Sequence, residues 1–186
     1  MIDRCILQIA LLLCFSTTAL SVNYNLLRYQ QRSSNLACKN LLRQMPGIPQ
    51  YCLKDRMDFD VPEEIKQPQQ FQKEDAVLVI YEMLQQIFGI FRRDFSSTGW
   101  NKAIIEDLLV EIDVRIDHVE TILAEIMKEK NFTRGDMTIL HLRMYYLKIV
   151  QYLKSKEYSG CAWTVVQAEI LRNFSFLNSL TECLQD

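Results

Sequence analysis

The segment PGIPQYCLKDRMDFDVPEEIKQP, residues 46–68, interrupts the helical spacing of the chain more firmly than any other stretch. Pro46 and Pro49 stop the preceding helix, because proline has no amide donor and its ring clashes with the turn before it. Roughly 22 residues then pass, Pro62 and Pro68 among them, before periodic apolar spacing resumes. That run is too irregular for a regular element and too long for a tight turn. Loops of this length in compact domains are either functional or disordered.

On both sides of it the apolar residues recur every three or four positions, the period of a helix with one buried face. A first helix is expected over about 23–45, with Leu27, Ser34, Cys38, Leu41 and Met45 on one side. A second runs over about 70–93, striped by Val77, Ile80, Leu84, Ile87 and Phe91. A third covers about 100–127, with Thr98 offered as its N-cap; Ile105, Leu108, Ile112, Ile116, Val119, Leu123 and Ile126 form its stripe. A fourth, about 136–156, buries Ile139, Leu142, Tyr146, Ile149 and Leu153. A fifth, about 161–184, buries Val166, Ile170, Phe174, Leu177 and Leu180. Only 5 glycines and 4 prolines occur, which suits helices better than many short strands.

Connection lengths decide the topology. Short loops after helices two, three and four force antiparallel neighbours, whereas residues 46–68 can cross the whole bundle. Helix two then runs parallel to helix one. The expected fold is all-α: a five-helix bundle with a long crossover, in which helices one, two, three and five run up, up, down, down.

Composition narrows the function. Hydrophobic residues make up 49% of the 186, enough for a sizeable core and against disorder. The net charge of −2, with no long basic run, disfavours nucleic-acid binding. At the start, Arg4 precedes an apolar run, Cys5–Phe15, too short to span a bilayer. STTALS follows, with Ala19 and Ser21 placed for cleavage, so residues 1–21 read as a secretory signal peptide and 22–186 as the mature domain.

Cleavage leaves Cys38, Cys52, Cys161 and Cys183 in an oxidising route, where pairing is expected. Four cysteines allow three pairings, and spacing alone does not choose. The expected topology places Cys52 and Cys161 at the same end of the bundle, which makes that pair sterically sensible. Cys38 and Cys183 would sit roughly 20 Å apart along the axis, far beyond the ~7 Å that a bridge spans, so no bridge between them is expected; whether each is reduced or links two molecules is left open by the sequence.

Catalytic chemistry is hard to find. The mature chain holds two histidines, His118 and His141, neither in an H-E-x-x-H pattern, and no phosphate-binding or nucleophile-elbow motif occurs. Cys38 lies on an apolar stripe and reads as a core thiol. No catalytic residue, metal or cofactor is expected. A secreted carrier of apolar ligands would need a large internal pocket, and the stripes are wide enough to fill the core instead. Two sequons occur: Asn131-Phe132-Thr133 in an expected loop, and Asn173-Phe174-Ser175 inside helix five. Both Asn131 and Asn173 are candidate glycan sites.

YYLKIVQYLKSKEYSGCAW, residues 145–163, resembles the signature of the type I interferons. ALSVNYNLL, YCLKDRMDFDVPEEIKQ, QQFQKEDA, IYEMLQQIF, SSTGW, NFTRG and EILRNF extend the likeness over essentially the whole chain. The resemblance implies a secreted, antiviral, long-crossover cytokine bundle that bridges two receptor chains and starts JAK–STAT signalling, without catalysis. It implies a disulfide between Cys52 and Cys161. It places the high-affinity receptor chain on Leu53, Arg56, Ala168, Leu171 and Arg172. It places the low-affinity chain on Phe88, Arg92, Leu109, Ile116 and Arg143. Partners beyond the receptor, nucleic acid or membrane insertion are not implied; a monomer or weak dimer is. Gln167 stands where the family commonly has arginine, and Cys183 is an additional cysteine.

Overall fold

The structure, a computed structural model, describes residues 22–47, 49–129 and 135–185. The signal-peptide reading of residues 1–21 and the sequon at Asn131 lie outside them. Five long helices carry the fold: α1 (Tyr24–Gln44), α2 (Lys73–Phe91), α3 (Lys102–Glu129), α4 (Gly135–Ser155) and α5 (Gly160–Glu182).

Local chemistry sets their ends. Asn23 caps α1, its Oδ1 accepting the Leu26 amide at 2.9 Å, and the chain turns extended at Met45 before Pro46. Ser159 caps α5 by accepting the Ala162 amide at 3.3 Å. Thr98 does not cap α3. It sits in a 3-10 turn, where its hydroxyl donates to Phe95 O and accepts the Trp100 amide; Asn101 instead accepts the Ala103 amide at 3.0 Å. A hydroxyl engaged in its own turn is not free to satisfy a helix start. α4 closes with Glu157 and Tyr158 both at positive φ, 51° and 54°, and the Tyr158 amide reaches back to Leu153 O at 2.9 Å. Such a wrap satisfies a terminal carbonyl.

Directions follow from contacts at the helix ends. Trp100, leading α3, donates its indole N–H to Pro46 O at the end of α1, while Arg115 in mid-α3 reaches Gln30 in early α1. α3 is therefore antiparallel to α1. α5 is too, since Arg28 pairs with Glu182 and Gln167 bonds Leu42. α2 and α3 meet at Phe91–Trp100 and Tyr81–Glu120, again antiparallel. α1 and α2 thus run parallel, and α1, α2, α3 and α5 run up, up, down, down.

Every stripe residue expected on the second to fifth helices is buried. At the upper end Phe91, Trp100 and Trp163 stack together with ring centroids 5.5–6.4 Å apart. The Trp163 indole also donates to Asp94 O at 2.9 Å. Each such ring removes a large apolar area from water, and truncating one costs about 3–5 kcal/mol.

The crossover is more ordered than its sequence suggests. It holds a 3-10 segment (Pro49–Asp55), a single helical turn (Glu63–Lys66) and a 3-10 turn (Pro68–Gln70). Phe59, Val61 and Ile65 are buried in the main core. Spaced apolar side chains pin a long connection even where its backbone lacks a period.

Candidate functional site

Cys52 and Cys161 form a disulfide, with Cα atoms 5.1 Å apart and 109 residues between them. It joins the 3-10 segment of the crossover to the first turn of α5. Two further contacts hold the same loop from the other side: Tyr152 Oη donates to Asp55 O at 2.7 Å, and Lys156 Nζ pairs with Asp55 Oδ1 at 2.9 Å. The loop is clamped between α4 and α5.

That clamp brings Arg56 and Ala168 together. With Cys52, Met57, Val165 and Glu169 they line a cleft of about 260 Å3 between loop and helix. Leu53 stands beside it, 55% exposed. Arg172 extends the surface along α5: its guanidinium lies 5.5 Å from the Phe176 ring and 3.6 Å from Glu169. Leu171, half-buried, packs towards the core. Tyr51 and Met57 are also exposed here, at 81% and 49%, and sequence reasoning passed over both. A large apolar side chain in a polar, proline-flanked loop was the available signal.

The second set is less united. Just past the end of α2, the Arg92 guanidinium sits 5.5 Å over the Phe88 ring. Arg143 on α4 is anchored to α2 by two bonds of 2.9 Å to the Glu82 carboxylate, and hydrogen bonding to Glu82 holds its guanidinium pKa above the usual range. Leu109 is half-buried. Ile116 is a correction: at 9% exposure it belongs to the core stripe of α3 and offers a partner little surface. Its place in the apolar periodicity outweighs its place in the resemblance.

Asn173 is a second correction. It is 1% exposed, and its amide is fully engaged. Nδ2 donates to Tyr145 Oη at 2.6 Å and Glu169 O at 2.9 Å, while Oδ1 accepts from Tyr146 Oη. A glycan on Nδ2 has no space in this fold. Gln167, which stands where the family commonly has arginine, is also buried; its Nε2 donates to Leu42 O and Met45 O at the C-terminal end of α1.

Among the described residues no three His, Cys, Asp or Glu side chains gather as a metal site. His141 pairs with Glu64 at 2.8 Å on α4, and His118 touches Arg115 on α3. Cys38 is buried, and burial together with the nearby Glu111 charge pushes its thiol up to about 12, the reverse of an activated nucleophile. The arrangement offers docking surfaces: an exposed arginine on a clamped loop beside an apolar cleft, flanked by exposed aliphatic and aromatic side chains.

A family model described as the interferon alpha/beta domain matches residues 27–184. The chain belongs to the interferon alpha/beta family. It is 65% identical over 186 residues to interferon beta-2 of Bos taurus, covering all of both chains. It is 62% identical to interferon beta of Homo sapiens over 187 residues, again covering all of both. Interferon beta of Mus musculus is 42% identical, with 99% of each chain covered. Among solved structures, zebrafish interferon 1 matches with a TM-score of 0.70 at 17% identity, over 83% of this chain and 96% of that one. That likeness concerns the fold. As an interferon of the alpha/beta type the chain is a helical cytokine, a receptor ligand and not an enzyme. No described helix is long and apolar enough to cross a membrane.

Proposed function

We propose that the chain is secreted after loss of residues 1–21 and bridges the two chains of the type I interferon receptor to start antiviral JAK–STAT signalling. The observation that carries this reading is the clamped cleft: a disulfide, a tyrosine and a lysine hold the crossover so that Arg56 faces Ala168. Arginine in a fixed frame is a frequent interface hot spot, because its planar fork bonds bidentately and stacks. Leu53, Arg56, Ala168, Leu171 and Arg172 form the high-affinity side. Phe88, Arg92, Leu109 and Arg143 contribute the low-affinity side on α2, α3 and α4. With one receptor chain engaged on a membrane, effective concentration strengthens the second contact. Asn131 carries a glycan in this reading.

The test is surface plasmon resonance on each receptor ectodomain, paired with a reporter assay in cells lacking either chain. Arg56→Ala weakens the high-affinity contact by more than about 1 kcal/mol, roughly fivefold. Signalling that survives loss of either receptor chain would overturn the bridging role.

A further inference from the structure

Ser155 is the last residue of α4, and Glu157 stands two positions after it. No other serine of the chain has a carboxylate at that spacing. Kinases select substrates by such charge patterns, and Ser-x-Glu is the pattern that acidophilic kinases of the secretory route read. Both side chains are exposed, and Glu157 makes no ion pair among the described residues. The chain leaves the helix directly after Ser155, with Glu157 and Tyr158 at positive φ. The Ser155 hydroxyl donates to Tyr152 O at 2.8 Å, but the Lys156 amide reaches the same carbonyl at 3.1 Å. The helix end is therefore satisfied without the hydroxyl.

The surroundings suit a phosphate better than a hydroxyl. Ser155 lines a recess of about 490 Å3 between the crossover and the C-terminal half of α4. Four cations line it too, Lys54, Arg56, Lys148 and Lys156, against one carboxylate, Asp55. Asp55 is taken up by Lys156 at 2.9 Å. Lys148 reaches Asp60 at 3.3 Å, but that carboxylate is 76% exposed, and water weakens such a pair. Among the described residues Lys54 and Arg56 have no ion-pair partner. A neutral hydroxyl gains nothing from four cations, whereas a phosphoserine offers them three strong acceptor oxygens. The dipole of α4 opposes an anion at this end with roughly half a charge, and Asp55 opposes it with one more. The four cations outweigh both.

We propose that Ser155 is a phosphorylation site, modified by an acidophilic kinase of the secretory route and held, once modified, by the cations of this recess. This rests on the secretory reading above. The phosphoryl donor is a nucleoside triphosphate. Ser155 Oγ forms a bond to the γ-phosphorus, the bond from that phosphorus to its bridging oxygen breaks, and the nucleoside diphosphate departs with the electron pair. The hydroxyl proton passes to the catalytic carboxylate of the kinase. The product carries about −1.5 to −2 of charge and cancels much of the local positive excess. Charge-assisted hydrogen bonds from Lys54 and Arg56 then tie the crossover to the end of α4.

The experiment is phosphopeptide mapping of the full chain collected from the medium of a mammalian host, for wild type, Ser155→Ala and Glu157→Gln. All three positions of the change are exposed, so the variants keep the helical circular dichroism of the wild type. The expected result is a phosphatase-sensitive phosphate on Ser155 of the wild type, lost in both variants. Phosphorus NMR of the modified protein then follows the second phosphate ionisation. It is expected below its ordinary value of about 6, and to return towards it in Lys54→Gln/Arg56→Gln. Secreted wild type without phosphate on Ser155 overturns the proposal and leaves the secretory reading standing. Equal phosphate in Glu157→Gln overturns recognition through that carboxylate. A second ionisation at the ordinary value in the wild type overturns the hold by the recess. A chain absent from the medium overturns the secretory reading, and the proposal with it.

Discussion

Tyr146 on α4 donates its phenol to Oδ1 of Asn173 on α5, and both residues are buried. This bond, with Tyr145 accepting from the same amide, closes a sequon that is open in the primary sequence. Peptide mapping of protein from a glycosylating host is expected to find Asn173 unmodified. Asn173→Ala leaves the buried Tyr146 phenol without its acceptor, while Tyr145 still donates to Glu169, and lowers stability by about 1–3 kcal/mol in urea unfolding. A glycan on Asn173 in folded material would contradict the geometry.

Gln167 holds the C-terminus of α1 through two carbonyls, at 2.6 and 3.0 Å. Gln167→Glu has the same shape but replaces the donor by an anion facing two carbonyl oxygens. The expected loss is about 3 kcal/mol, more than for Gln167→Ala, because a buried charge then has no partner. Thermal unfolding of the two variants ranks them; equal melting temperatures would remove the capping role.

The disulfide closes 109 residues of chain. In the chain-entropy model, replacing Cys52 and Cys161 by serine costs about 4–5 kcal/mol. Hydrogen exchange should show the 3-10 segment (Pro49–Asp55) opening before the helices, since it loses its tie to α5. Uniform opening of all segments would place the bond's effect elsewhere.

Cys38 titrates far from its ordinary value of 9.0, raised to about 12 by burial first and Glu111 second. Below pH 9 both folded and unfolded chains keep the proton, and the thiol contributes no pH dependence. Between about pH 9 and 12 the unfolded chain releases it while the folded chain does not, so stability falls as pH rises through this window. Cys38→Ser removes that slope. Native alkylation at pH 8 labels half-buried Cys183 first; faster labelling of Cys38 would show the core opening locally.

Ile116 shows how far periodicity reaches. Ile116→Ala lowers stability by about 2–4 kcal/mol and changes receptor kinetics only as unfolding does. An intact melting temperature with weakened binding would return it to the surface.

The sequence by itself determined the five helices, their buried stripes, the parallel first pair and the sensible cysteine pair. Each depends on local spacing, proline stops or connection length, quantities that a linear chain carries. Only the tertiary structure decided which polar groups leave the surface. Asn173 and Gln167 look like ordinary helix polar residues until α4 and α1 bring phenols and terminal carbonyls against them. It also decided that residues from the crossover and from α5 would share one cleft at Arg56. Burial and hydrogen-bond partnership are pairwise properties of distant segments, and no one-dimensional period encodes them.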